Sequence, residues 1–237
     1  MKALIAWVDR KFYGDFTANW DDQLFREQIL ENLRPEMKLL DLGAGAGIVT
    51  EMNFLGKAQK VCGVDLDPRV ASNPFLDEGR VSDAGEIPFP DESFDLVFSD
   101  NVLEHLAEPQ QVFLEVARVL KPGGVFMFKT PNKWHYMPAI ARVTPHWFHQ
   151  FINYLRGRAE VDTFPTLYRA NTKGDVEKLA AETGFDVTCI RRVEGRPEYL
   201  RISALLYPIG LIYERMVNSS AMMEPFRVLL VGSLRKN

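Results

Sequence analysis

Short apolar runs alternate with helical patterns along most of the chain, the order expected when the strands of one sheet are joined by helices. Lys38 to Leu42 is apolar apart from Asp41, Lys60 to Asp65 carries Val61, Cys62 and Val64, and Phe94 to Ser99 and Val125 to Lys129 are nearly continuous apolar runs. Runs that alternate this little belong to strands covered on both faces, as in a parallel sheet. Arg80 to Ser82 and Phe185 to Val193 predict two more strands, and Arg227 to Leu234 predicts a last one of the kind that pairs antiparallel at a sheet edge. Leu24, Phe25, Ile29 and Leu33 fall at helical spacing behind a cap at Asp21 or Asp22, and Pro35 ends that helix. Val112, Phe113, Val116, Val119 and Leu120 form a second helical face, and Val176, Leu179 and Ala180 a third, capped at Thr172 and ended by Gly184. Another helix is expected from the glycine-rich turn after Leu42 to about Phe54, and one opening at Asn101. Residues 1 to 20 hold Phe12, Tyr13, Phe16 and Trp20 without a clean period. Pro197 to Val217 is largely apolar and fits a core or pocket helix, a dimer face or a shallow membrane contact.

These elements predict an α/β fold: a three-layer, doubly wound, seven-stranded and mostly parallel sheet with an antiparallel edge strand, plus a helical or loop cap inserted after the fifth strand. A single domain is expected, with a leader and helix at 1–36, a ligand-binding core at 37–130, the cap at 131–172 and the C-terminal half of the sheet at 173–237. Composition agrees, since 46% hydrophobic and 25% charged residues describe an ordinary globule able to bury a core. A net charge of -4 argues against a generally basic surface that wraps nucleic acid, so no nucleic-acid partner is expected. Cys62 and Cys189 each sit in an apolar run, which reads as reduced thiols in a cytoplasmic protein. The apolar run Ala3 to Val8 is too short for a secretory segment, and Ile202 to Tyr213, broken by Pro208 and Gly210, cannot span a bilayer as a helix. Weak peripheral membrane contact stays open.

The chemistry concentrates first at Leu39 to Gly47, where two apolar residues lead into Asp41 and three glycines alternate with small residues. Such a turn lets a ligand approach the backbone closely. The dinucleotide pattern G-x-G-x-x-G fails here, because Ile48 or Thr50 falls where the third glycine should stand. The pattern present is D-x-G-x-G-x-G, Asp41 through Gly47, and with it the chain resembles the class I methyltransferases that use S-adenosylmethionine, of the type 11-like kind. In that family this loop passes beneath the methionine half of the cofactor, which implies Asp41, Gly43, Ala44, Gly45 and Gly47 as contacts. Asp65 ends the next strand, where a carboxylate can accept hydrogen bonds from both ribose hydroxyls. The resemblance gives that role to Asp65, with Leu66 beside it, and the adenine to Asp83 and Ala84. Ala84 to Asp95 and Glu115 to Gly124 resemble the same family's segments before its fourth and fifth strands.

The residues after the fourth strand narrow the subclass. Ser99-Asp100-Asn101-Val102 lacks the acid or amide followed by Pro-Pro and an aromatic that marks methylation of base amines or glutamine side chains. Some relatives hold a divalent metal through Glu-x-x-Glu-His, but here Asn101 replaces the first acid ahead of Glu104 and His105, so no metal is expected. The resemblance instead places Ser99, Asn101 and His105 around the cofactor.

Thr130 to Thr172 shows no strand and is longer than an ordinary connection. Bases at 133, 142, 156, 158 and 169 outnumber the acids at 160 and 162, against the overall charge of the chain. We read it as a substrate cap with Lys133, Trp134, Tyr136, Arg142 and Tyr168 as acceptor contacts, joined by Tyr13 from the leader. For a hydroxyl acceptor a histidine titrating near neutrality suits proton removal, which makes His135, His146 and His149 the candidate bases, His135 first. The implied function is methyl transfer from S-adenosylmethionine, leaving S-adenosylhomocysteine, to a small-molecule, lipid or glycan-precursor acceptor, with oxygen as the favoured atom. The alternative is a methyltransferase-like protein that binds S-adenosylmethionine without turnover and serves as a scaffold or regulator.

Overall fold

The computed structural model describes residues 2–14, 16, 19–143 and 165–237. The chain divides into two compact units, one comprising Asp21–Pro131, Thr166–Arg191 and Leu230–Asn237, the other Met1–Trp20, Asn132–Pro165 and Arg192–Leu229.

The first unit is built on a seven-stranded sheet of β1 (Lys38–Leu42), β2 (Lys60–Asp65), β3 (Glu78–Val81), β4 (Phe94–Asp100), β5 (Leu120–Pro131), β6 (Phe185–Val193) and β7 (Leu229–Lys236), in the order β3-β2-β1-β4-β5-β7-β6. The pairs β1 with β2, β1 with β4, β2 with β3 and β4 with β5 are all parallel. Lys236, at the end of β7, donates to the carbonyl of Leu120 at the start of β5, and the amide of Asn237 donates to Gly184 just ahead of β6. These bonds run β7 antiparallel to both neighbours. It therefore lies one place in from the edge, and β6 is the edge strand.

The near-continuous apolar strands are explained by cover on both faces. On one side Leu40, Val97, Phe126 and Phe128 pack with Val112, Phe113 and Val116 of α3 (Pro109–Val119) and with Val176 and Ala180 of α5 (Lys173–Glu182). On the other, the Phe98 ring meets Phe25 of α2 (Trp20–Asn32) and Phe54, both edge-on. Burying each such ring contributes about 2 kcal/mol. The cap foreseen at Thr172 is present as a reciprocal capping box with Asp175.

Two expected helices do not form. After the glycine turn there is one 3-10 turn, Thr50–Met52, because the β-branched run Ile48-Val49-Thr50 resists the helix and Val49 is extended. Asn101 takes φ +54° and is followed only by the short turn Leu103–His105. The third strand begins ahead of Arg80, where the Asp77 carboxylate accepts the Val61 amide and aligns the two chains.

In the second unit the leader, which shows no clean period, folds as α1 (Lys2–Phe12). Its Ile5 and Val8, with Tyr13, pack against Tyr207 and Leu211 of α6 (Tyr207–Asn218). The apolar 197–217 segment is only half a core element: Tyr207, Gly210, Glu214 and Val217 are buried while Ile209, Ile212 and Met216 face outward. From the 131–172 stretch, α4 (Tyr136–Val143) is described in this unit. Among the described residues no helix is long and apolar enough to cross a membrane.

Candidate functional site

The turn after β1 is shaped by three glycines with positive φ, Gly43 at 86°, Gly45 at 51° and Gly47 at 72°. A Cβ on Gly43 would stand 2.3 Å from a Val102 methyl, and one on Gly47 2.3 Å from Asn73 Oδ1 and 2.9 Å from Pro74 Cδ. The protein itself requires those two glycines. At Gly45 the nearest heavy atom to a Cβ is Asp65 Oδ2 at 3.9 Å, so this position alone opens outward. The turn is pinned from β2, where Asp65 Oδ2 accepts the Gly45 amide and Oδ1 accepts the Asp67 amide, each at 2.8 Å. Asn73, absent from the sequence-based set, donates to the Ala44 and Gly45 carbonyls. Its only sequence signal is an Asn-Pro turn after β2.

Asp41 lies beneath this turn. No described group donates a hydrogen bond to its carboxylate, and burial, with the charges of Asp100 and Asp65, pushes its pKa well above the usual range. Burial likewise raises Asp100 to about 7, an effect the neighbouring Lys129 opposes. Lys129 is fully buried in β5, with Nζ 3.0 Å from Asp100, 3.1 Å from Asp21 and in contact with Asp22. Burial disfavours the ammonium, but these carboxylates outweigh it and hold the pKa raised. Asp21, Asp22 and Asp100 thus share one cation, and Asp41 stands near enough to Asp100 to feel its charge. Sequence reasoning took Asp21 and Asp22 for helix caps and Lys129 for a plain strand residue.

The other predicted cofactor residues take these places. Asp83 Oδ1 accepts the Gly85 amide at 2.7 Å, Ala84 packs against the core beside it, and Leu66 is exposed after β2. Ser99 is buried with its hydroxyl unpartnered, and Asn101 donates to Asp100. His105 Nε2 is 3.8 Å from Glu104, whose other oxygen accepts the Thr130 hydroxyl at 2.9 Å. Asn171 in turn donates to Thr130, and the amides of Leu167 and Tyr168 donate to the Glu104 carbonyl. Glu104 therefore organises the ends of three segments. Among the described residues no group of three or more His, Cys, Asp or Glu side chains is placed to hold a metal ion.

His135, in the second unit, is only 2% exposed. Its Nδ1 accepts the Met137 amide, which leaves the proton on Nε2, 3.8 Å from Glu194. The rings of Tyr136, Tyr213 and Tyr199 surround the imidazole, with centroids 4.0, 5.5 and 6.5 Å away. Burial lowers the His135 pKa to about 3, so the imidazole does not titrate near neutrality as the sequence suggested. Burial also lifts Glu194 to about 8, against the pull of its bond from the Val228 amide. Tyr13 is buried and donates to Glu214, Lys133 is half-buried and Trp134 is exposed. Arg142 lies on α4, while the remaining candidate bases, His146 and His149, lie outside the described residues.

Residues 40–128 match the family model described as a methyltransferase domain. A protein of Mycolicibacterium smegmatis named as a probable S-adenosylmethionine-dependent methyltransferase is 35% identical over 111 residues, 45% of this chain and 42% of that one. The malonyl-acyl-carrier-protein O-methyltransferase of Halorhodospira halophila is 32% identical over 173 residues, 67% of this chain and 53% of that one. The chain thus spans about half the length of these curated relatives. A crystal structure of an S-adenosylmethionine-dependent methyltransferase from Mesorhizobium loti superposes with a TM-score of 0.60 at 20% identity, covering 94% of this chain and 99% of that one, which shows the shared fold. The chain thus matches the methyltransferase-domain model over residues 40–128, is similar to S-adenosylmethionine-dependent methyltransferases and shares their fold.

Proposed function

We propose that the chain transfers the methyl group of S-adenosylmethionine to an oxygen of a small-molecule, lipid or glycan-precursor acceptor. The observation that carries the reading is the open face of Gly45 beside Asp65, in a unit where Asp21, Asp22 and Asp100 share Lys129 and Asp41 adds a further acid. This setting fits a cofactor with ribose hydroxyls, an ammonium and a sulfonium. When bound, the cofactor supplies an electrophilic methyl group on a positively charged sulfur.

The chain's own residues bind and orient. Asp65 presents a carboxylate to the ribose hydroxyls while holding the Gly45 amide, and Asp83 with the Ala84 amide receives the adenine edge. The Asp41 carboxyl, to which no described group donates, offers an acceptor to the ammonium, whose positive charge would favour its ionised form. Displacement at a methyl group requires the acceptor atom to be held in line, so positioning supplies most of the rate. Ser99, Asn101 and His105 close the cofactor side. Acceptor selection is assigned to the 131–172 stretch, with Lys133, Trp134, Tyr136, Arg142 and Tyr168 as contacts, while Tyr13, buried and bonded to Glu214, serves the packing of its own unit instead. The named activity of the Halorhodospira relative, an O-methyltransferase, supports oxygen as the atom methylated. For the proton that an oxygen acceptor loses, His146 and His149 are the candidate bases, since the buried His135, whose Nδ1 already accepts the Met137 amide, is not suited to that role. The free thiols Cys62 and Cys189 accord with a reducing, cytoplasmic setting.

Incubation with methyl-labelled S-adenosylmethionine and a cell extract tests the proposal. A labelled small molecule or lipid whose label is carried on oxygen supports it. Retained cofactor binding without any labelled product refutes turnover and leaves a scaffold or regulator.

A further inference from the structure

Residues 82–93, which join β3 to β4, form neither helix nor strand, and they include Asp83 and Ala84, the two residues to which the adenine is assigned. A stretch without its own ladder of backbone bonds keeps one conformation only where other groups hold it. Asp83 Oδ1 accepts the Gly85 amide at 2.7 Å and the Asp83 carbonyl accepts the Glu86 amide at 3.0 Å, which closes a turn around Ala84. The rest of the hold comes from α3.

Gln111, Glu115 and Arg118 stand four and three residues apart and so share one face of that helix. Gln111 Nε2 donates to the Gly85 carbonyl at 3.2 Å. A Cβ at Gly85 would stand 3.0 Å from Asp83 Oδ1 and 3.3 Å from Gln111 Cγ, so the turn lies close against both. Glu115 Oε2 accepts the Ile87 amide at 2.9 Å, and the Arg118 guanidinium donates to the carbonyls of Ile87 and Phe89 at 2.8 and 2.9 Å. Two bonds of 2.8 Å join Arg118 to the Glu115 carboxylate, a paired geometry that fixes both side chains and lowers the Glu115 pKa. The further pair of Arg118 with Asp91, an acid largely exposed, adds little. The row therefore meets the main chain at Gly85, Ile87 and Phe89, every second residue. The Ile87 and Phe89 side chains are buried in the core, but apolar contact is not directional and leaves the segment free to slide along the helix. Bonds to main-chain groups remove that freedom.

We propose that Gln111, Glu115 and Arg118 are positioning residues that set the base specificity of the cofactor site, by holding the segment with Asp83 and Ala84 in one register along α3. The inference rests on the assignment of the adenine to those two residues. In this register the Asp83 carboxylate receives the exocyclic amino group and the Ala84 amide donates to the ring nitrogen beside it. A hypoxanthine base reverses both partners, setting an oxygen against the carboxylate and an N–H against the amide. The two bases have nearly the same shape, so telling them apart depends on where the carboxylate and the amide stand.

Calorimetry of the full chain with S-adenosylhomocysteine and with S-inosylhomocysteine, which differ only in that edge of the base, tests this. The native chain is expected to bind the adenine compound at least about tenfold tighter. Glu115→Ala removes the Ile87 bond and the brace on Arg118, and should cut that preference to about threefold or less, whereas Glu115→Gln, which can still accept the Ile87 amide, should keep most of it. Gln111→Ala takes one bond from an exposed side chain, and is expected to lower the preference by about threefold with the melting temperature unchanged. If Glu115→Ala does not fold, Gln111→Ala decides. A row that merely stabilised the fold would weaken both compounds alike, so a preference that survives in the alanine variants overturns the proposal and leaves the adenine assignment standing. Equal binding of the two compounds by the native chain, or binding of neither, overturns that assignment and the proposal with it.

Discussion

Replacing Lys129 by Met asks whether the cation under the glycine turn is what allows Asp100 to be buried. Lys129 is fully buried, and the Asp100, Asp21 and Asp22 side chains around it are 11%, 31% and 18% exposed. Without the ammonium, Asp21 and Asp22 can turn toward water from the start of α2, whereas Asp100 at the end of β4 cannot. Removing one partner of a buried ion pair costs about 3 to 5 kcal/mol. The sign with pH follows from linkage. In the folded protein the Asp100 pKa of about 7 exceeds the ordinary 3.8, so its contribution is favourable in acid and is lost as pH rises through 7. Losing Lys129 raises that pKa further and extends the loss into alkali. Urea unfolding should therefore show Lys129→Met destabilised by about 3 to 5 kcal/mol near pH 8.5 and by about 1 kcal/mol near pH 5, where Asp100 is protonated in both proteins. Adding Asp100→Asn to the variant should restore most of the loss at the higher pH. An equal cost at both pH values, or no recovery in the double variant, would refute the reasoning.

Other perturbations separate structure from binding. Gly47→Ala places a Cβ against Asn73 and Pro74 at positive φ, and a loss of about 2 kcal/mol or more is expected in thermal unfolding. Gly45→Ala meets no such neighbour, so it should cost the fold about 1 kcal/mol while weakening S-adenosylmethionine binding at least about tenfold, as read by calorimetry. Glu194, at about pKa 8 when folded against the ordinary 4.5, makes the protein less stable as pH rises between those values. Glu194→Gln should flatten that fall, gaining about 2 to 4 kcal/mol near pH 9 in urea titrations. An unchanged pH profile would show that Glu194 is not the buried acid described.

The elements legible in the sequence were those governed by local pattern. β1, β2, β4 and α3 declare themselves by apolar runs and helical spacing, and Thr172 by its capping chemistry. Asp65 was legible because strand, turn and acid follow one another in fixed order. What failed to show depended on residues distant in the chain. Lys129 reads as the polar end of a strand until Asp21 and Asp22 are brought to it, more than a hundred residues away. The second unit is assembled from three separated stretches, so the packing of α1 on α6 has no local signature. Glu194 beside His135 carries none either. The helix expected after the glycine turn failed for a local reason, the β-branched run at Ile48 to Thr50, which the motif overshadowed.

The central claim, that the turn from Asp41 to Gly47 with Asp65 holds S-adenosylmethionine, is tested most directly by isothermal titration of the full chain and of Asp65→Ala with that cofactor and with NADH. S-adenosylmethionine is expected to bind at micromolar concentration and NADH not to, and the Asp65→Ala variant to lose at least about tenfold in affinity, the cost of leaving ribose hydroxyls and the Gly45 amide unpaired. Binding of NADH in place of S-adenosylmethionine, or an affinity unmoved by Asp65→Ala, would contradict it.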